Sequence, residues 1–200
     1  MDTLLITLAS ALAGFIDASV GGGGLVLVPA LFATYPNALP ATLLGTNKSA
    51  SVWGTLFAAW RFQQHMTLQW QALRWGAIGA LLGACAGAYT LTLVSPQVLR
   101  QAMPVLLVAV LVYTLKHKQL GQAHQPRFSG RAQVWAMGVC GAVMGFYDGF
   151  FGPGTGSLLV FLLVRGLGFD FLQASAHSKV LNMTSNMAAL VLLGWQGHVM

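Results

Sequence analysis

The chain has 200 residues, of which 56% are hydrophobic and only 7% charged, and its mean hydropathy is +0.69. Soluble domains carry roughly 25% charged residues, so the composition excludes a soluble globular protein and reads as an integral membrane protein. The formal net charge of +6 does not point to nucleic acid, because most of the basic residues lie in loops between apolar segments and not on one soluble face.

Six apolar segments follow in chain order, at approximately 3–32, 38–59, 76–93, 98–115, 132–151 running on to 163, and 172–193. About 20 apolar residues span a ~30 Å hydrocarbon core as a helix. Such segments recur along the whole chain, which a cleavable signal peptide does not explain. None alternates with a period of two, and only helices or closed barrels satisfy their backbone in lipid. The expected fold is all-α, a polytopic transmembrane helix bundle.

The first segment contains GFIDASVGGGGLVLVP, in which Asp17, the glycines from Gly21 to Gly24 and Pro29 interrupt a run otherwise greasy enough for a bilayer. Consecutive glycines let the chain leave the helix, freeing backbone N–H groups that need partners at membrane depth. The second segment, ATLLGTNKSASVWGTLF, sets Lys48 deep among Thr46, Asn47, Ser49 and Ser51. A charge there costs on the order of 2.5 to 3.5 kcal/mol on insertion scales. In the third, Gly79, Gly83 and Gly87 share one helical face and invite close approach of another helix. Cys85 there and Cys140 in the fifth segment read as small packing residues with no metal or redox role.

Arg61 and Arg74 flank the loop after the second segment, and Lys116, Lys118, Arg127 and Arg131 fill the loop after the fourth, against Arg100 and Arg165 elsewhere. The two basic loops share a side by helix count and are expected to be cytoplasmic, as is a reporter inserted near Gly121. The fifth segment carries small residues at Gly141, Gly145 and Gly149 and breaks at GFYDGFFGPGTGS. The sixth, ASAHSKVLNMTSN, surrounds Lys179 with His177, Ser178, Asn182, Thr184, Ser185 and Asn186. The tryptophans mostly sit near segment ends, where aromatic belts belong, and imply no cofactor.

Residues 145–189 align with 14–58 at a constant offset of 131, placing Asp17 on Asp148, Gly21 on Gly152, Gly23 on Gly154 and Lys48 on Lys179. The expected organisation is a first transmembrane repeat at 1–115, a basic cytoplasmic linker at 116–131 and a second repeat at 132–200. The first half continues through two more helices to about residue 115, so the second should run to about 246, yet the chain stops at Met200. Either it is a truncated product or fragment, or the missing pair is dispensable. Each glycine segment either spans once, giving parallel halves, or turns back as a hairpin, giving inverted ones.

A helix restarting near Gly24 or Thr155 aims its free N–H groups and its dipole into the break, which favours an anion, with lysine as countercharge. The candidate substrate-binding residues are Lys48, Lys179, Asn47, Ser178, Asn182, Gly22, Gly23, Gly24, Gly154, Thr155 and Gly156. Asp17, Asp148 and His177 are candidates for charge balance or a coupled proton. The competing readings are structural: lysine–aspartate ion pairs, and glycines that only allow close packing. GGGGLVL and GPGTGS lack the GK[ST] ending of a nucleotide loop.

On GFIDASVGGGGLVLVPALF, TNKSAS, and GFYDGFFGPGTGSLLVF followed by AHSKVLN, the chain resembles the TauE/SafE family of bacterial sulfite and organosulfonate exporters, especially its uncharacterised inner-membrane members. The resemblance implies seven or eight helices in two similar halves, moving small sulfur-containing or carboxylate-bearing anions across the cytoplasmic membrane. The expected partners are a small anion and the lipid bilayer, with no nucleic acid; homo-oligomerisation stays open. The rivals are a passive anion channel and a non-transporting scaffold or intramembrane enzyme, the last disfavoured because HExxH, GxSxG and paired catalytic carboxylates are missing.

Overall fold

The computed structural model describes residues 2–19, 21–116 and 125–200, with backbone alone for 2–5, 18, 19 and 115. Lys118 and Gly121 lie outside the described residues. Among those described, there are eight α-helices and no strand: α1 (Asp2–Ser19), α2 (Gly24–Thr34), α3 (Pro40–His65), α4 (Trp70–Leu93), α5 (Pro96–Lys116), α6 (Gly130–Phe150), α7 (Thr155–Leu162) and α8 (Phe171–Trp195). A π-helical turn, Leu163–Leu167, prolongs α7. Six apolar segments become eight helices because the first and the fifth each break at their glycines.

Local chemistry sets the ends of these helices. Pro40 and Pro96 open α3 and α5, where a fixed φ and a missing N–H suit the first turn. The Asp170 carboxylate caps α8 by accepting from the Gln173 amide at 2.8 Å. At the two breaks Gly21 and its repeat partner Gly152 hold φ of +79° and +95°, a region that residues with a β-carbon avoid.

Both broken segments turn back. Leu27 and Leu31 of α2 pack with Ile6, Ala9 and Ala13 of α1, and Leu163 and Val164 beyond α7 pack with Met137 and Cys140 of α6. A chain continuing in one direction would separate those residues by tens of ångströms at about 1.5 Å per residue. The α1–α2 and α6–α7 units are therefore helical hairpins whose tips point into the molecule.

The glycine stripes join α4 to α6. A β-carbon on Gly79, Gly83 or Gly87 would collide with a carbonyl oxygen of Gly138, Ala142 or Phe146 in turn. Gly141, Gly145 and Gly149 press just as closely on Gly76, Ala80 and Ala84. Residue numbers rise together on both helices, so the pair is parallel and in backbone contact, which small residues permit. By contrast α8 runs antiparallel to α3, because residues after its end bond to Thr42 and Thr46.

This routing gathers Arg61, Arg74, Lys116, Arg127, Arg131 and Arg165 at one end. Arg165, set apart in the sequence reading, returns there because the second broken segment is a hairpin: the Gln125 and Arg127 amides each donate to carbonyls of Gly168 and Leu167 at 2.9 Å. Arg100 lies at the other end, bonded to the Ala38 carbonyl and stacked over Phe32.

The packing is inverted relative to a soluble protein. Trp53, Phe57, Leu82, Trp135 and Val139 are exposed, while Lys48 and Lys179 are each 1% exposed. Among the described residues Trp70–Leu93 and Pro96–Thr114 are long and apolar enough to cross a bilayer. α3 and α8 are longer, at 26 and 25 residues, but their buried faces carry the polar residues that lower their hydropathy.

Candidate functional site

The two hairpin tips meet at the centre. A β-carbon on Gly21 would stand 2.9 Å from the Gly156 Cα, one on Gly24 3.2 Å from the Pro153 Cα, and Ser157 Oγ donates to the Gly21 carbonyl at 2.5 Å. Glycine is needed at this crossing because two backbones occupy the space of one side chain.

The charged groups are exchanged between the repeats. Lys48 Nζ donates to Asp148 Oδ1 at 2.6 Å, in a fully buried ion pair. The same carboxylate accepts from Thr155 Oγ1 at 2.8 Å and Ser185 Oγ at 2.6 Å. Lys179, the repeat partner of Lys48, donates to the backbone carbonyl of Asp17, the repeat partner of Asp148. Asp17 Oδ1 in turn accepts from the Gly22 and Gly23 amides at 2.9 and 2.8 Å. At the first break, then, amides expected to face a bound anion are held by the protein's own carboxylate. The two lysines and two aspartates cancel formally, so the site carries no excess positive charge.

Between the tips lies a cavity of about 10 Å³, room for roughly one water. Of the residues picked from the sequence, Gly22, Gly24, Gly154, Thr155 and Gly156 line it from the hairpins, and Asn47 and Asn182 from α3 and α8, beside Asp17 and Asp148. The buried Asn47 Oδ1 has no hydrogen-bond partner among the described residues, a costly state for a polar atom; turned over, the same amide would aim its two N–H donors into the cavity.

Five picks fall outside the lining. Lys48 and Lys179 sit behind it, fixed on their partners. Gly23 lies under α1, where a β-carbon would strike the Ala13 carbonyl. Ser178 Oγ donates to the Ser175 carbonyl at 2.8 Å, and His177 bonds the Gln69 amide toward the basic end. Three lining residues lie outside the candidate set from the sequence: Ser51, Gly152 and Asn186. Ser51 and Asn186 stand one helical turn beyond Asn47 and Asn182, so the i, i+4 polar spacing was the signal that finds them.

The chain is similar to several known membrane proteins. A "Probable membrane transporter protein" of Haemophilus influenzae is 38% identical over 187 residues, covering 92% of this chain and 71% of that protein. "Probable membrane transporter protein YfcA" of Escherichia coli K12 is 37% identical over 189 residues, covering 94% and 68%. "Probable membrane transporter protein ORF9" of Sinorhizobium sp. is 36% identical over 196 residues, covering 96% and 72%. No solved structure matches the chain. The family described as "Sulfite exporter TauE/SafE" matches residues 6–200, and on that match and those relatives the chain belongs to the TauE/SafE family of membrane transporters.

Proposed function

We propose that the chain is a multi-pass inner-membrane secondary carrier that moves a small anion, such as sulfite, an organosulfonate or a related sulfur or carboxylate anion. It works by alternating access around the cavity between the two hairpin tips, with the basic end in the cytoplasm under the positive-inside rule. Two inverted repeats, 1–115 and 132–200, joined by the 116–131 linker, build the site from equivalent halves.

The observation that carries this reading is the meeting of two glycine-broken hairpins over a polar cavity walled by Asn47, Ser51, Asn182 and Asn186, within a protein whose outer surface is apolar. Such polarity inside a lipid-facing bundle fits a substrate path. The cavity holds about 10 Å³, which favours a carrier over a passive channel, since a channel needs a continuous wet route.

The test is a thermal-shift screen of the purified protein with sulfite, sulfoacetate, sulfate, thiosulfate and small carboxylates. At least one anion should raise the melting temperature, and Asn47→Ala with Asn182→Ala should reduce that anion's affinity by tenfold or more, at about 1–3 kcal/mol per lost buried hydrogen bond. Undiminished stabilisation in the double variant would place the site elsewhere.

A further inference from the structure

The two ends of the bundle carry matching closures. At the basic end the segment between α3 and α4 dips beside α8. There the Gln69 amide donates to His177 Nε2 at 3.1 Å, and His177 Nδ1 lies 2.7 Å from the Gln173 carbonyl. A carbonyl only accepts, so Nδ1 carries the proton and Nε2 offers the lone pair that receives the Gln69 N–H. At the opposite end the segment after α8 lies beside α3. The Met200 amide donates to Thr46 Oγ1 at 3.1 Å, and Thr46 Oγ1 donates to the Thr42 carbonyl at 2.8 Å.

All three members are related by the repeat offset of 131: Gln69 with Met200, His177 with Thr46, and Gln173 with Thr42. Histidine and threonine share no side-chain shape. Each nevertheless bridges an equivalent loop amide to an equivalent helix carbonyl one turn back. Thr46 sits at the edge of the cavity, next to Asn47, and His177 stands about 7.5 Å from Asn182 along α8, at about 1.5 Å per residue, on the basic-end side of the cavity. His177 is about 9 Å below the start of α8 at about 1.5 Å per residue, so the loop reaches well into the bundle. At the other end the His198 carbonyl presses on Gly45, leaving no space for a β-carbon.

We propose that segments 66–69 and 196–200 are the two gates of the central cavity, latched by His177 and Thr46 respectively, and that the carrier opens one while the other stays latched. The proposal rests on the carrier reading and assigns its moving parts. With both latches formed, the polar residues between them are buried and the cavity is reduced to about 10 Å³.

The experiment uses the chain in oriented vesicles, with Cys85→Ala and Cys140→Ala, and Ser51→Cys as a reporter in the cavity wall. A membrane-impermeant methanethiosulfonate is added to one side at a time. His177→Ala should raise the labelling rate from the basic-end side by about tenfold, the worth of one net hydrogen bond, and leave the opposite side unchanged. Thr46→Val should do the reverse. His177→Gln keeps an acceptor and should return labelling toward the parent rate. Gln69→Pro removes the donor N–H at a φ of −81°, close to proline's range, together with the side-chain bond from Gln133, and should act like His177→Ala, whereas Gln69→Ala, which loses only that side-chain bond, should label at the parent rate; should His177→Ala not fold, this pair decides. Unchanged labelling in His177→Ala, Thr46→Val and Gln69→Pro, or an equal rise from both sides, would overturn the proposal. No substrate is added, so lack of anion binding beside side-specific labelling would count against the carrier reading and not against the latches.

Discussion

Lys48 and Lys179 occupy equivalent positions but are held differently. Lys48 meets a carboxylate that three side chains share, while Lys179 meets a backbone carbonyl. Removing one member of a buried pair strands the other, at about 3–5 kcal/mol. Lys48→Met should therefore lower stability by about that amount, and adding Asp148→Asn should recover much of it. Lys179→Met should cost about 1–3 kcal/mol, the penalty of an unsatisfied carbonyl. Equal losses in detergent unfolding would contradict the asymmetry. The deep lysines were legible in the sequence because charge in an apolar run stands out. Which aspartate each would meet was not, since the exchange depends on how the hairpins fold back. His177 was readable as polar but not as a loop anchor, because its partner lies 108 residues away.

At the scale of elements, the stripe on α4 announced a close helix contact, and the structure supplies α6 as the partner. The same repeat offset puts Gly14 of α1 on Gly145 of α6. Their surroundings differ: nothing lies within 4 Å of a β-carbon on Gly14, whereas one on Gly145 would run into Ala80. Gly145→Leu should thus destabilise by about 3 kcal/mol through overpacking against backbone. Gly14→Leu should stay within about 0.5 kcal/mol, as surface changes do. Thermal melts of the two variants in one detergent check the contrast. The breaks themselves were legible from GGGG and GPGTG. Their direction was not, because glycine permits a turn without choosing it, and the choice follows from Leu27, Leu31, Leu163 and Val164 packing back on their own hairpins.

For the whole molecule, charge bias grouped the basic loops but could not separate parallel from inverted halves, since both arrangements put those loops on one side. Arg165 distinguishes them, because only a hairpin brings it back beside Arg127. In a background of Cys85→Ala and Cys140→Ala, Arg165→Cys should react with an impermeant thiol reagent from the same face as Arg127→Cys. Reaction from opposite faces would require the second broken segment to span once. The result also bears on the cytoplasmic assignment, which follows from the same cluster of charge.

The exchange of ion partners between halves also constrains the order of biosynthesis. Lys48 and Asp148 are 100 residues apart, and at about 5–20 residues per second of synthesis the lysine waits on the order of 5–20 s for its counter-ion. During that interval α3 holds an uncompensated amine, which hydration or a visit to the interface can accommodate. Lys179 has no such wait, because the Asp17 carbonyl that accepts from it is made long before it. The early helices thus gain their counter-ion only when the later ones arrive, and a nascent chain halted before Asp148 holds α3 with an unpaired buried charge.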